Sequence, residues 1–266
     1  MSMAGVEGMG DYCLLDQSIA KPIHMLLIAD PRTLNEFVLE RTGKTGIFQE
    51  FPQNMYMRKN WQNIQKALLP DAVMILGDLI NEGRKWDNVK WELAIHRFNI
   101  IFMQTPSLKQ APVFYLAGNQ DIGFGNNNVS YEAYNRFRTV FGKTNYSLKI
   151  GNHSIIALDT VTLSGKNENL SLEATHLIEG LKMDSNKAPR ILFTHTPLYR
   201  PPNTDCGPPR QNNRHILDES ISTLILENVR PKLVFSGDAY NDCEIRHKSV
   251  DAVEITVNSF NFAMVS

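Results

Sequence analysis

The chain is built around short apolar runs that each stop on a polar side chain and a turn signal. IHMLLIAD ends at Asp30, AVMILGD at Asp78, VFYLAGN at Asn119, SIIALD at Asp159, RILFTH at His195 and KLVFSGD at Asp238. Runs this short, rich in Ile, Val, Leu and Phe and bounded by Gly or Pro, predict buried strands. Between them, MYMRKNWQNIQKAL spaces Met57, Trp61, Ile64 and Leu68 so that one helical face is apolar. Similar stripes fall near 87–102, 131–141, 171–181 and 216–226. Alternating strands and helices predict an α/β sheet with helices packed on its faces. The Pro-rich PLYRPPNTDCGPPR predicts a long loop inside the domain, because strand and helix signals resume after it. A length of 266 residues suits one large core. The expected division is an N-terminal extension over 1–20 and a single domain over 21–266.

Composition narrows the function classes. A net charge of -1 gives no reason to expect nucleic acid or an anionic membrane surface as partner. No apolar stretch reaches the roughly 18 residues of a spanning helix, and MSMAGVEGMGDYCLLD lacks the basic region and apolar core of a signal peptide. Cys13, Cys206 and Cys243 show no C-x-x-C spacing. Three separate thiols is the simpler expectation, and a Cys206–Cys243 disulfide the alternative in an oxidising compartment. Glycosylation triplets begin at Asn128, Asn145, Asn152 and Asn169, which permit a secretory location without arguing for it.

Function has to come from the strand ends, where open α/β sheets bind their ligands. Those ends offer Asp30, Asp78, Asn119, His195 and Asp238. Oxygen donors with one imidazole suit manganese, iron, zinc or magnesium better than a thiolate-seeking metal. A single Asp after a strand is usually a turn or helix-cap residue. Repetition at successive ends, each of Asp78, Asn119 and Asp238 preceded by glycine, points instead to a shared metal site. Glycine there lets the backbone turn sharply and leaves room for a metal and a phosphate. Asp78 is the candidate bridging carboxylate.

ADPR, LGDLINEG, AGNQDIGFG, THTPLYR and FSGDAYNDCEIRH stand in the order and spacing of the calcineurin-like phosphoesterases. That family's pattern is Asp-x-His, Gly-Asp, Gly-Asn-His-Asp/Glu, a lone His and Gly-His-x-His. More narrowly, NEGRKW, DIGFG, and HTPLYR with DCGPPR resemble the eukaryotic membrane-anchored branch that removes ethanolamine phosphate from glycosylphosphatidylinositol anchors. The resemblance runs from about residue 23 to 264. It implies a four-layer αββα sandwich with mixed sheets, a phosphodiester-bearing glycan or lipid substrate, and a place in the endoplasmic reticulum or Golgi. It also implies divalent cations, manganese first, that hold phosphate oxygens and activate a water. Gln120, Asp121 and Arg32 occupy catalytic positions of the pattern, while Arg200, Arg210 and His215, on or beside the loop after His195, are the candidate substrate contacts.

The departures from that pattern set further expectations. Arg32 stands where the family often has His, Gln120 replaces the catalytic His, and Asp238 and Tyr240 replace both histidines of Gly-His-x-His. Asp78, Asn119, His195 and Asp238 would complete one metal site. The other, resting on Asp30, Asp78 and positions 32 and 240, is spoiled by a permanent cation and a phenol whose ordinary pKa is about 10. One or two metals per chain are therefore expected. Gln120 can donate a hydrogen bond to a leaving oxygen but cannot hand over a proton. The functional expectations are an attenuated metallophosphoesterase or, as alternatives, a pseudo-phosphoesterase that works by binding, or a truncated fragment, since the chain stops at FNFAMVS where members of the branch continue.

Overall fold

A computed structural model describes residues 22–33, 46–104, 111–124, 129–165, 167–185, 187–201, 204, 216–239 and 242–260. Strands β1 (Met25–Ile28), β2 (Ala72–Ile75) and β3 (Val113–Tyr115) form a parallel three-stranded sheet in that order. The second sheet uses β4 (Tyr146–Ile150), β5 (His153–Leu158), β6 (Arg190–Thr194), β7 (Leu233–Ala239), β8 (Cys243–His247) and β9 (Ala252–Asn258). Its order is β4-β5-β6-β7-β9-β8, parallel through the centre and antiparallel where β4 and β8 join.

Side-chain alternation stacks these sheets into layers. Ile155, Ala157 and Phe193 point at Met74, Leu76 and Leu116 of the smaller sheet and make the central core. Ile156, Leu158, Leu192 and Val234 point the other way, against helices α6 (Glu168–Met183) and α7 (Glu219–Val229). Outside the smaller sheet, α1 (Gly46–Leu68), α2 (Asn88–Phe102) and α4 (Tyr131–Phe141) close a core containing Trp61, Phe98 and Phe137. The order helix, sheet, sheet, helix is the expected αββα sandwich. Strands apolar on both faces explain why their sequences are continuous apolar runs. β4 and β8, which lie at the sheet's two edges, alternate with exposed or half-exposed residues and carry no such run.

Asp159 differs from the other strand-end carboxylates. It caps α5 (Thr160–Leu163) by accepting the Thr162 N–H at 2.9 Å, so it has a local structural role. Burial pushes its carboxyl up to about 6, against hydrogen bonds from Thr162, Thr144 and the Val161 backbone that favour the charged form. A folded pKa above the unfolded one stabilises fully below the unfolded value, near 4, and the benefit is lost as pH rises through about 6. Urea titrations should therefore show the native protein losing, relative to Asp159→Asn, on the order of 2–3 kcal/mol between pH 4 and pH 7. Parallel curves for the two proteins would refute this.

Candidate metal centre

The strand ends of both sheets meet at one point. β1 leads to Asp30, β2 to Asp78, and β6 and β7 bring His195 and Asp238 from the second sheet. One ligand atom from each of these four buried side chains lies within 4.8 Å of the others. Asp30, Asp78 and Asp238 each hold a left-handed backbone, with φ of 47°, 52° and 50°. That region is sparsely populated for residues with a Cβ and is tolerated best by Asp and Asn. Such conformations gathered at one site are a mark of function when the surroundings enforce them.

Those surroundings are the two loops after β1 and β2, zipped together. The Arg32 and Thr33 N–H groups donate to the Asp78 and Leu79 carbonyls at 2.8 and 3.0 Å. Glycine makes room for this crossing. A Cβ on Gly118 would lie 2.1 Å from the Asp78 nitrogen, and one on Gly77, whose φ is +91°, 2.5 Å from His195 Nδ1. These glycines let one ligand-bearing loop touch the next.

Each side chain is oriented. His195 Nδ1 lies 2.7 Å from the Leu76 carbonyl, which can only accept, so Nδ1 carries the proton; Asp30 Oδ1 lies 3.8 Å from Nδ1, and Nε2 faces Asp78 and Asp238. Nε2 lies 3.4 Å from Asp78 Oδ1 and 4.0 Å from Asp238 Oδ2. Burial opposes a charge on this ring. Asp78, Asp238, Asp30 and the Leu76 carbonyl outweigh it and raise His195 to about 9. A cation entering here therefore competes with a proton at Nε2. Asp78 Oδ1 is fixed by the Gln120 N–H at 2.7 Å. Both Asp30 oxygens are buried without a hydrogen-bond partner. Burial and then the Asp78 charge hold the Asp30 carboxyl well above its usual range, although His195 and Arg32 pull it down. Orphaned carboxylate oxygens facing an oriented imidazole fit a divalent cation, whose charge would replace the missing hydrogen bonds.

Arg32 closes the opposite side. Its Nη2 lies 2.8 Å from Asp78 Oδ2 and 3.2 Å from Asp238 Oδ1. A permanent cation thus sits against two of the carboxylates that a second metal would need. The grouping differs from the expected one, because Asp30 joins Asp78, His195 and Asp238 in a single cluster. Asn119 turns its Nδ2 to Asp238 Oδ2 at 2.9 Å and receives Gln120 Nε2 on Oδ1 at 3.1 Å. It enters the cluster as a donor, and a half-turn about χ2 would present its oxygen instead.

The remaining sequence candidates separate. Asp121 was expected among the catalytic groups, but its carboxylate accepts the backbone N–H groups of Leu79, Ile80 and Gly118 at 3.2, 3.1 and 2.9 Å. It stitches α3 (Asn119–Ile122) to the loop after Asp78. Burial and the Asp78 charge push it up to about 7 against those three amides. Arg200, an expected substrate contact, donates Nη2 to Thr256 Oγ1. Thr256 and Glu254 share a buried network with Ser236, and Glu254 also meets His247 at 2.8 Å. Arg210, His215 and Tyr240 lie outside the described residues. The sequence reading missed Arg84, whose Nη1 lies 2.6 Å from Gln120 Oε1. Its one sequence signal was membership of NEGRKW, in the loop that follows Asp78.

Residues 44–240 match the family described as calcineurin-like phosphoesterase. The chain belongs to the calcineurin-like phosphoesterase family. It is 37% identical over 255 residues to Cell division control protein 1 of Saccharomyces cerevisiae, covering 88% of this chain and 51% of that protein. Metallophosphoesterase 1 of Gallus gallus is 26% identical over 281 residues, covering 93% and 67%. The chain thus spans about half the length of the yeast relative. A dimetal phosphatase from Danio rerio has the same fold at a TM-score of 0.55 and 13% identity, covering 90% of this chain and 88% of that one. Among the described residues, no helix is long and apolar enough to cross a membrane.

Proposed function

We propose that this calcineurin-like phosphoesterase is a metal-dependent phosphodiesterase with one cation position, acting on ethanolamine phosphate carried by a glycan or lipid. The observation that carries the reading is the buried convergence of Asp30, Asp78, His195 and Asp238, with neither Asp30 oxygen hydrogen-bonded. A bound divalent ion, manganese by preference, supplies Lewis-acid polarisation of the phosphate and an acidified water. The chain supplies the rest. Asp30, Asp78, His195 and Asp238 hold the ion, and Arg32 offers a fixed positive charge to the phosphate. Gln120 donates a hydrogen bond without giving a proton. The substrate and an endoplasmic reticulum or Golgi setting are supported by resemblance to relatives named Metallophosphoesterase 1. The setting is also supported by the disulfide at Cys243, a bond of oxidising compartments that replaces the three separate thiols expected. Of the glycosylation triplets, those at Asn152 and Asn169 are exposed, whereas Asn145 is buried and spends its amide on Asp159 N and Thr144. The single domain over 21–266 is part of the same reading.

The test is metal analysis together with hydrolysis in manganese. We expect about one ion per chain and turnover of an activated aryl phosphodiester, with alkyl diesters slower by roughly 10²–10⁴-fold for want of a general acid. Two ions per chain would overturn the single position. The pseudoenzyme reading draws on Arg32 lying across Asp78 and Asp238. It would prevail if neither diester turned over and Gln120→His were equally inert.

A further inference from the structure

The residue at position 120 does not work alone. Arg84 sits in a 3-10 turn, Gly83–Lys85, packed against α3. Its Nη1 donates to Gln120 Oε1 at 2.6 Å and to the Asn119 carbonyl at 3.4 Å. Because Arg84 takes the oxygen end of the amide, the Nε2 end is turned toward Asn119 Oδ1, 3.1 Å away. The turn itself is braced from behind. Arg136 of α4 donates to the Gly83 and Trp86 carbonyls, the former at 3.4 Å, and lies over the Trp91 ring at 5.5 Å. Trp86 Nε1 donates to the Asn81 carbonyl at 3.1 Å. Arg84 is half-buried. Among the described residues, only its Nη1 has a partner, so the Nε and Nη2 donors stay available.

This arrangement supplies what the sequence lacks. The family pattern puts an imidazole at position 120 to serve the leaving group, and here an amide stands there, backed by a guanidinium. The geometry points to Arg84 as the leaving-group residue: with Gln120 it forms a charged donor pair that receives the departing oxygen. This rests on the phosphodiesterase reading above. In the step, the water oxygen forms a new bond to phosphorus and the bond to the leaving oxygen breaks, its electron pair remaining on that oxygen. Arg84 and Gln120 N–H groups stabilise the developing charge. The water's proton passes to solvent, and the alkoxide later takes one from solvent. Arginine suits this role because its guanidinium stays protonated and carries its donors in a rigid fork. A preorganised donor aimed at developing charge in a desolvated site acts most strongly when that charge is largest. Arg84 therefore matters most for poor, alkoxide-like leaving groups.

The experiment compares the native protein, Arg84→Met and Arg84→Lys, each with its metal content measured. It uses aryl and alkyl phosphodiesters of graded leaving-group pKa, and reads the affinity for inorganic phosphate by calorimetry. For Arg84→Met we expect unchanged metal content and a loss that grows with leaving-group pKa, reaching about 10²-fold on the alkyl esters. Phosphate should bind about tenfold more weakly, and Arg84→Lys should recover part of both effects because it keeps the charge. A loss equal across all leaving groups, with phosphate affinity unchanged, would overturn the proposal and leave Arg84 as a brace for the turn. If the native protein hydrolyses nothing, the phosphodiesterase reading fails separately. Phosphate binding then decides Arg84, and an unaltered affinity in Arg84→Met overturns its role.

Discussion

Asp78→Asn should empty the centre of metal while leaving the fold intact. Asp78 ties the cluster to its surroundings, touching Arg32 at 2.8 Å, His195 at 3.4 Å and the Gln120 N–H at 2.7 Å. Asparagine keeps the left-handed backbone that φ of 52° demands and can still accept the Gln120 N–H. It removes the negative charge. Partners one shell removed from a metal typically cost 10–100-fold in affinity, so loss of the carboxylate itself should weaken metal binding and hydrolysis by at least about 10²-fold. The effects on the metal-free fold oppose each other. Arg32 loses an anionic partner but retains Asp238, while crowding on the Asp30 carboxyl is relieved. Equilibrium dialysis with manganese and circular dichroism would check both halves. A variant that retained the native metal content would remove Asp78 from the site.

Gly118→Ala should be the most destabilising single methyl group in the molecule's site. Its Cβ would meet Asp78 backbone nitrogen at 2.1 Å and Oδ1 at 2.2 Å, and neither can move without breaking the loop pairing that sets Arg32. Overpacking against backbone leaves no cheap relaxation, and we expect a loss of about 3 kcal/mol or more. Gly180 provides the contrast. It lies in α6 with nothing within 4 Å of a built Cβ, so Gly180→Ala should stabilise by about 0.5–1 kcal/mol. Urea denaturation of the two variants should move the midpoint in opposite directions, and a neutral Gly118→Ala would contradict the close approach.

The parts of the molecule legible in the sequence are those governed by local pattern. Residues 131–141 match α4 because Ser130 caps one end and Gly142 closes the other. Asp30, Asp78, His195 and Asp238 were singled out because each follows an apolar run, and the fold gathers them into one cluster. What distinguishes Asp159, also after such a run, is its contact with Thr162, which no periodicity reveals. The backbone contacts of Asp121 were not legible because a buried carboxylate collecting three backbone amides looks in sequence like one that faces a substrate. Arg84 was missed because its partner, Gln120, is brought near only when β2 and β3 pair and α3 packs on the 3-10 turn. Asp30 was grouped apart from His195 because chain order carries no information about which strand ends finally meet.

Arg32 has one more consequence, mechanical rather than chemical. It leaves the first sheet after β1 and joins Asp78, on that sheet, to Asp238, at the end of β7 on the other. It is a clasp across the sandwich, made of a group that no chelator removes. With histidine at position 32 that span would lose its fixed charge, and the Asn119–Asp238 hydrogen bond and the apolar core between the sheets would remain to hold the two halves together. The arginine adds to those links one whose charge depends on neither pH nor the supply of metal.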